Sequence, residues 1–350
     1  MDKPKDTLLS RGRKTFGKFM STDNFIDRGM LSRFAFSVIR APLWFVAGAS
    51  QRGLWGQVKF SIVPGFLRSN LYPREFVPSA VASLPEIEAL IVVAGKDFDV
   101  LPHTIANLQP GSANKIVRIT LVTPAQDVKL CEEIAAKLRL RDQFEMKVLN
   151  EDQVFSDSYR RELKNRFQNR YGWVLQQLLT TKLALQSSAR GVLVVDADTV
   201  LLQPRVWLTS EGLQPLLVSS EFHESYYRFL ATLGISRRLP KNTHVTHHML
   251  MQPSKLKKIL EFCNLDDVES LGKAAMLAEG LDADSPVCLE YEFYAQGMFQ
   301  LFPKAVRLLR FSNAGVSTSN QLLDVQALIE ENRSNTELFS ISLHTYLRSK

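Results

Sequence analysis

The sequence predicts an α/β protein in which a mostly parallel central sheet carries helices on both faces. Two observations support this. From residue 88 onward, short β-branched or aliphatic runs alternate with stretches of helical periodicity, which is the pattern of successive βαβ units. One of these runs, Val192 to Val195, has no polar position on either face and reads as a central strand covered on both sides. With 350 residues, 45% hydrophobic and 23% charged, the chain has an ordinary globular composition.

Ahead of the sheet region, residues 1–84 are expected to form a basic, aromatic-rich helical segment, and residues 85–350 the main domain, divided into halves at 85–203 and 204–350. Residues 1–74 hold 13 Lys and Arg against four Asp, a balance of +9 that leaves −2 for the rest of the +7 chain. Phe16, Phe25, Trp44 and Trp55 are among the aromatics interspersed with these cations. Such a segment suits an anionic membrane surface, and it equally suits a subdomain packed on the main domain with a solvated basic face. No nucleic-acid motif accompanies the charge, so nucleic acid is not an expected partner.

The best apolar run in that segment, Ala41 to Ser50, is about half the roughly 20 residues a membrane span needs. The polar N-terminus does not read as a secretory signal. Cys131, Cys263 and Cys288 are widely spaced, which argues against a disulfide framework or thiolate zinc site and for a reducing compartment. The expected location is the cytoplasm, with peripheral attachment to the inner face of a membrane left open.

Pro73, Pro78 and Pro85 punctuate the boundary. Strands are then expected at 89–93, 115–122, 144–148 and 192–195. The intervening helices are expected at 97–108, after Thr123-Pro124 as N-cap and first helical residue, and at 157–169 and 173–187. Past residue 203 the order is less regular. Strands are expected at 216–219, 244–251, 305–311 and 338–347, and helices at 224–233, 254–263, 266–279, 286–301 and 321–332.

The central strand ends in Asp196-Ala-Asp198. Residues i and i+2 of an extended chain point the same way, so both carboxylates face one spot at the carboxyl end of the sheet, where α/β folds bind ligands. Two such charges remain ionised together only with a cation between them. Hard oxygen ligands at this spacing suit Mg²⁺ or Mn²⁺ with positions left for phosphate oxygens; two solvated turn aspartates are the plainer reading.

Lys182 falls within the apolar stripe of Val174, Leu175, Leu178, Leu179 and Leu185. It either meets a bound diphosphate, pairs internally, or snorkels to the surface. Gln176 and Gln177 could donate to a polar ligand or cap loop carbonyls. On a strand, His244 and His248 share a face and His247 points the other way, which disfavours a three-histidine zinc site. Glu290, Phe293, Tyr294 and Gly297 share a helical face opened by Ser285-Pro286, making Glu290 a candidate general base. His344 lies in the last strand, where an imidazole could serve as a third metal ligand.

These residues together resemble the GT-A class of nucleotide-sugar glycosyltransferases over roughly residues 88–346. More narrowly, "YGWVLQQLLTTKLAL", "VLVVDADTVLLQP", "HHMLMQP", "EYEFY" and "SLHTY" are similar to a poorly characterised bacterial family of that class. The resemblance implies a Rossmann-like sheet and transfer of a sugar from a nucleotide-diphosphate donor to a glycan or lipid-linked acceptor, in cell-envelope polysaccharide synthesis. It implies that Asp196, Asp198 and His344 hold the metal, and that Ala94, Gly95, Lys96, Asp97, Gln177, Lys182 and Asp196 line the donor site. His247, His248 and Tyr291 would lie on the acceptor side, with Glu290 and Glu292 as catalytic carboxylates. The sequence departs from the family pattern at Leu289 and Ala295, where serine and glycine are expected.

Two other classes also fit parts of the sequence. "VLVVDADTVLL" matches the opening motif of aspartyl phosphatases of the HAD type, with Asp196 as nucleophile and Asp198 as acid/base, and "LLVSS" and "LDD" (265–267) as later motifs. A glycan- or nucleotide-binding protein without turnover is the non-enzymatic alternative.

Overall fold

The computed structural model describes residues 72–75, 83–139, 144–238, 242–281, 285–317 and 324–344. The expectations for residues 1–71, a basic helical segment and its membrane contact, lie outside these. Among the described residues no helix is long and apolar enough to cross a membrane.

The strands are β1 (Ile87–Val92), β2 (Ile116–Thr123), β3 (Glu145–Asn150), β4 (Val192–Val195) and β5 (Thr199–Leu201). They continue with β6 (Gln214–Val218), β7 (His248–Met251), β8 (Val306–Arg310), β9 (Asn313–Ser317) and β10 (Ser340–His344). The helices of the first half are α1 (Leu101–Leu108), α2 (Val128–Arg139), α3 (Asp157–Phe167) and α4 (Tyr171–Gln186). The second half adds α5 (Glu224–Thr232), α6 (Pro253–Phe262), α7 (Val268–Leu277), α8 (Tyr291–Leu301) and α9 (Val325–Arg333).

The main sheet runs β3-β2-β1-β4-β7. Its first four strands are parallel, and β7 closes the edge antiparallel to β4, with Val195 opposite His248. This is the expected fold class. Strand alternation distributes side chains to two layers. Ala89, Ile91, Leu193 and Val195 pack on α1 and α2 through Leu101, Ile105, Cys131 and Ala135. Leu90, Val192 and Val194 face the larger core built on α3, α4 and the helices of the second half. Strand order reverses between β1 and β4, and such a reversal opens a crevice at the carboxyl ends of the strands.

Two smaller sheets, β5-β10-β9 and β6-β8, complete the architecture. The short strands β5 and β9 have no counterpart in the sequence reading. Three local expectations are corrected. Thr123 is the last residue of β2, and a 3₁₀ turn over Ala125–Asp127 separates Pro124 from α2. β7 begins at His248, so His244 and His247 precede it in irregular backbone. Ser285-Pro286 does not open α8; Glu290 is its N-cap, at φ −122° and ψ −90°.

Helices α8 and α6 approach closely at Gly297, where a Cβ would stand 2.5 Å from Ile259 Cγ2 and 2.8 Å from its Cγ1. Alanine normally favours a helix interior over glycine, but here the β-branched Ile259 leaves no room. Gly297→Ala is expected to lower stability by about 1–3 kcal/mol, the usual cost of overpacking, read as a lower urea midpoint with an unchanged m-value.

Candidate functional site

The turn after β4 is held from three sides. Asp196 N donates to His247 O at 2.8 Å, Leu343 N donates to Asp198 O at 2.8 Å, and Thr104 Oγ1 donates to Ala197 O at 2.9 Å. The turn is therefore tied to the segment before β7, to β10 and to α1. These ties present two carboxylates at the crevice between β1 and β4.

Both oxygens of Asp196 have donors: Tyr291 Oη at 3.1 Å on Oδ1 and His247 Nδ1 at 3.0 Å on Oδ2. A carboxylate accepts and does not donate, so Nδ1 of His247 carries the hydrogen. His247 reaches this position with φ +59°, a left-handed conformation that costs a β-carbon-bearing residue about 1–2 kcal/mol. The side chains of Asp196 and His247 are 23% and 25% exposed, leaving the pair open to a ligand.

Burial, and then the negative charge of Asp196, push the Asp198 carboxyl up to about 7. Asp97 raises it further, whereas His247 and Lys96 pull it back. The loop after β1 is thus brought to the pair. Ala94 N-caps the 3₁₀ turn Gly95–Asp97, which buries Asp97 and leaves Lys96 exposed. Three carboxylates share this corner with little positive charge.

Glu290 is nearly fully buried, hydrogen-bonds with Thr180 of α4, and lies close enough to Asp196 for that charge to raise its pKa. Burial is the larger cause, and together they hold its carboxyl well above the usual carboxylate range. The Tyr291 hydroxyl is raised by the same causes. Thr180 and Thr104 carry no distinctive spacing in the sequence and are not singled out there.

Other expected site residues stand elsewhere. Lys182 pairs with Glu269 of α7 at 2.8 Å, with its ammonium 4.4 Å from the centre of the Phe155 ring. This is the internal ion pair, not contact with the aspartates. Gln177 accepts from Leu289 N at 2.8 Å and donates to Val287 O and Trp173 O, fastening the segment before Glu290 onto α4. Glu292 has no exposed surface; it accepts from His244 N and from Gln296 Nε2 at 2.9 Å and bonds Tyr227. His248 is fully buried among Trp207, Phe311 and Phe339, and burial lowers its pKa well below the usual histidine range. His344 ends β10, and its side chain lies outside the described residues. Asp267, part of the phosphatase pattern, serves as the N-cap of α7.

Among the described residues no three His, Cys, Asp or Glu side chains form a metal cage. Asp196 and Asp198 nevertheless fit a Mg²⁺ or Mn²⁺ ion held by one or two carboxylates and completed by water and phosphate oxygens. The Asp198 carboxyl is raised first by burial and then by the charge of Asp196.

Residues 96–215 match a family of unknown function (DUF6492). No curated protein matches. Among solved structures, mouse xyloside xylosyltransferase 1 aligns with 9% identity and a TM-score of 0.36, over 76% of this chain and all of that one. The bifunctional glycosyltransferase WbbM aligns with 12% identity and a TM-score of 0.37, over 77% of this chain and 47% of its own. An active-site mutant of LgtC aligns with 12% identity and a TM-score of 0.41, over 73% of this chain and 87% of its own. Likeness at this level assigns no activity to the chain.

Two pH dependences follow. A divalent cation held at this corner would take the ionised form of Asp198, so its affinity for Mn²⁺ would fall about tenfold per pH unit below about 7 and level off above it. Titration calorimetry of the protein with Mn²⁺ from about pH 5.5 to 8 checks this. Burial also pushes Glu292 up to about 7. A group raised in the folded state stabilises the fold below the usual carboxylate range and loses that contribution as pH rises through its folded pKa. Glu292→Gln escapes that loss. Whatever its offset, the variant's melting temperature relative to wild type is expected to climb between about pH 4.5 and pH 7.

Proposed function

We propose that the chain is a divalent-metal-dependent glycosyltransferase that takes a sugar from a nucleotide-diphosphate donor. One observation supports it most: Asp196 and Asp198 meet Lys96 and Asp97 at the reversal of strand order, with the Asp198 carboxyl raised to about 7 by burial and neighbouring charge. A diphosphate bridged by Mg²⁺ or Mn²⁺ is the ligand that this corner complements.

When bound, the cation supplies positive charge to the leaving diphosphate as the bond to the anomeric carbon breaks. Asp196 and Asp198 hold it, and Tyr291 and His247 keep Asp196 oriented. Lys96, exposed beside Asp198, is the side chain of this loop able to reach a phosphate oxygen. Lys182 is not assigned to the diphosphate, since Glu269 already pairs with it.

Glu290 is the carboxyl assigned to the acceptor hydroxyl. Of the two candidates it lies near Asp196, whereas the oxygens of Glu292 are occupied within the core. The charge of Asp196 helps hold the proton on Glu290. Neutralising Asp196 removes the smaller of the two causes that raise Glu290 and so lowers its carboxyl toward the usual range, while burial continues to hold it up. The acceptor, glycan or lipid-linked, and a role in envelope polysaccharide synthesis belong to the same proposal.

The test is a thermal-shift screen of UDP, GDP, CDP and dTDP sugars with and without Mn²⁺. A ligand at 100 times its Kd adds about 2.7 kcal/mol of stability, so one nucleotide class should raise the melting temperature with metal and not in Asp198→Ala. No shift with any class, together with hydrolysis of a generic phosphate ester, would replace this reading with the phosphatase. With the donor known, Glu290→Gln should slow metal-dependent donor turnover by about 10²–10⁴-fold while leaving the thermal shift in place. Glu292→Gln should change turnover little.

A further inference from the structure

Behind the aspartate turn lies a chain of polar side chains that the proposed reaction does not use. Thr199, Ser342, Asn313, Ser340 and His248 have no exposed surface. Thr199 Oγ1 and Ser342 Oγ are 2.9 Å apart, and Ser342 Oγ is 3.3 Å from Asn313 Oδ1. From the other side, His248 Nε2 and Ser340 Oγ are 3.1 Å apart, and Ser340 Oγ donates to the same Asn313 Oδ1 at 2.8 Å.

Each serine has one hydroxyl hydrogen. Ser340 gives its own to Asn313 and so accepts from His248, which carries its hydrogen on Nε2. Thr199 and Ser342 share two hydrogens among three contacts: either Thr199 donates to Ser342 and Ser342 to Asn313, or Ser342 donates to Thr199 and Thr199 to Asp198 Oδ1. Two chains of polar groups converge on one amide oxygen. One begins at Thr199, adjacent to Asp198 and 3.4 Å from its Oδ1. The other begins at His248, adjacent to the His247 that donates to Asp196.

Stability does not call for this arrangement. Buried polar groups are costly unless paired, and replacing hydrogen-bonded partners by apolar groups of the same shape is close to neutral. Ile341 and Leu343 on the opposite face of β10 show that the strand accepts an apolar lining. What the chain adds is a fixed relation between the two flanks of the carboxylate pair.

We propose that Asn313, Ser340 and Ser342 form a positioning centre that sets the separation and orientation of Asp196 and Asp198 for a divalent cation. This rests on the metal-binding reading above. Partners that orient metal ligands typically contribute 10–100-fold to affinity.

The experiment uses the full chain and Mn²⁺ alone, with binding read from loss of the free-ion EPR signal and stability from metal-free melting. Ser342→Ala and Ser340→Ala each leave Asn313 the other donor. Thr199 retains Asp198 as an acceptor in Ser342→Ala, so that variant should melt close to wild type without metal, whereas Ser340→Ala strands the buried Nε2–H of His248 and should fold with a lower metal-free melting temperature. Each is expected to weaken Mn²⁺ binding about tenfold or more, with Asp198→Ala abolishing it. If wild type binds Mn²⁺, Asp198→Ala does not, and both serine variants bind as wild type does, the positioning centre is overturned and the metal reading stands. If wild type itself binds no Mn²⁺, both are overturned.

Discussion

Burial of a carboxylate at the end of a central strand, beside a second carboxylate, is the constraint around which this site is arranged. The apolar run of β4 carries Asp196 and Asp198 to the carboxyl edge of the sheet, where burial raises the cost of charge and Asp97 adds more of the same sign. The fold answers part of that cost with oriented donors. Tyr291 and His247 serve Asp196, and the backbone ties of the turn prevent the pair from rotating apart. A cation at this corner, as proposed, would offset the remainder.

The two halves of the chain divide the work. The βαβ half supplies the crevice and the carboxylates, because a parallel sheet directs its strand ends, and the loops that follow, to one edge. The second half supplies the groups that orient and respond. β7 enters antiparallel so that His247 can lie opposite Asp196, at the cost of a left-handed residue. Glu290 is the N-cap of α8 and Tyr291 its first residue, which brings both to the Asp196 side of the turn. Gln177 holds the segment before Glu290 against α4, so a residue of the first half positions the second. Glu292, two residues on, is used up in binding His244 and Gln296, and its neighbour therefore has the site to itself.

Sequence revealed the parts of this arrangement that depend on local pattern. Val192 to Val195 could be read as a strand because an apolar run is a short-range signal. The alternating elements from β1 to β4 were legible for the same reason. The i, i+2 argument for Asp196 and Asp198 assumes an extended chain, whereas the structure turns at Ala197 and Asp198. What escaped was decided by tertiary partners. Lys182 in an apolar stripe admits either a ligand or an internal anion, and only the approach of α7 selects Glu269. Gln177 could serve a ligand or a loop, and only the path of residues 287–289 selects the loop. His247 and His248 are adjacent in sequence yet differ completely, one facing the crevice and one enclosed by aromatic rings. The Ser340 and Ser342 hydroxyls share a strand face, a spacing visible in the sequence, but nothing local says that an asparagine 27 residues earlier awaits the first of them.

The most direct measurement is an anomalous difference map from crystals grown with Mn²⁺ and a nucleoside diphosphate. One strong peak is expected within bonding distance of Asp196 and Asp198 at the end of β4, with the diphosphate completing the coordination and Lys96 on its flank. A map with no peak at that pair, or with the nucleotide bound away from the crevice between β1 and β4, would contradict it.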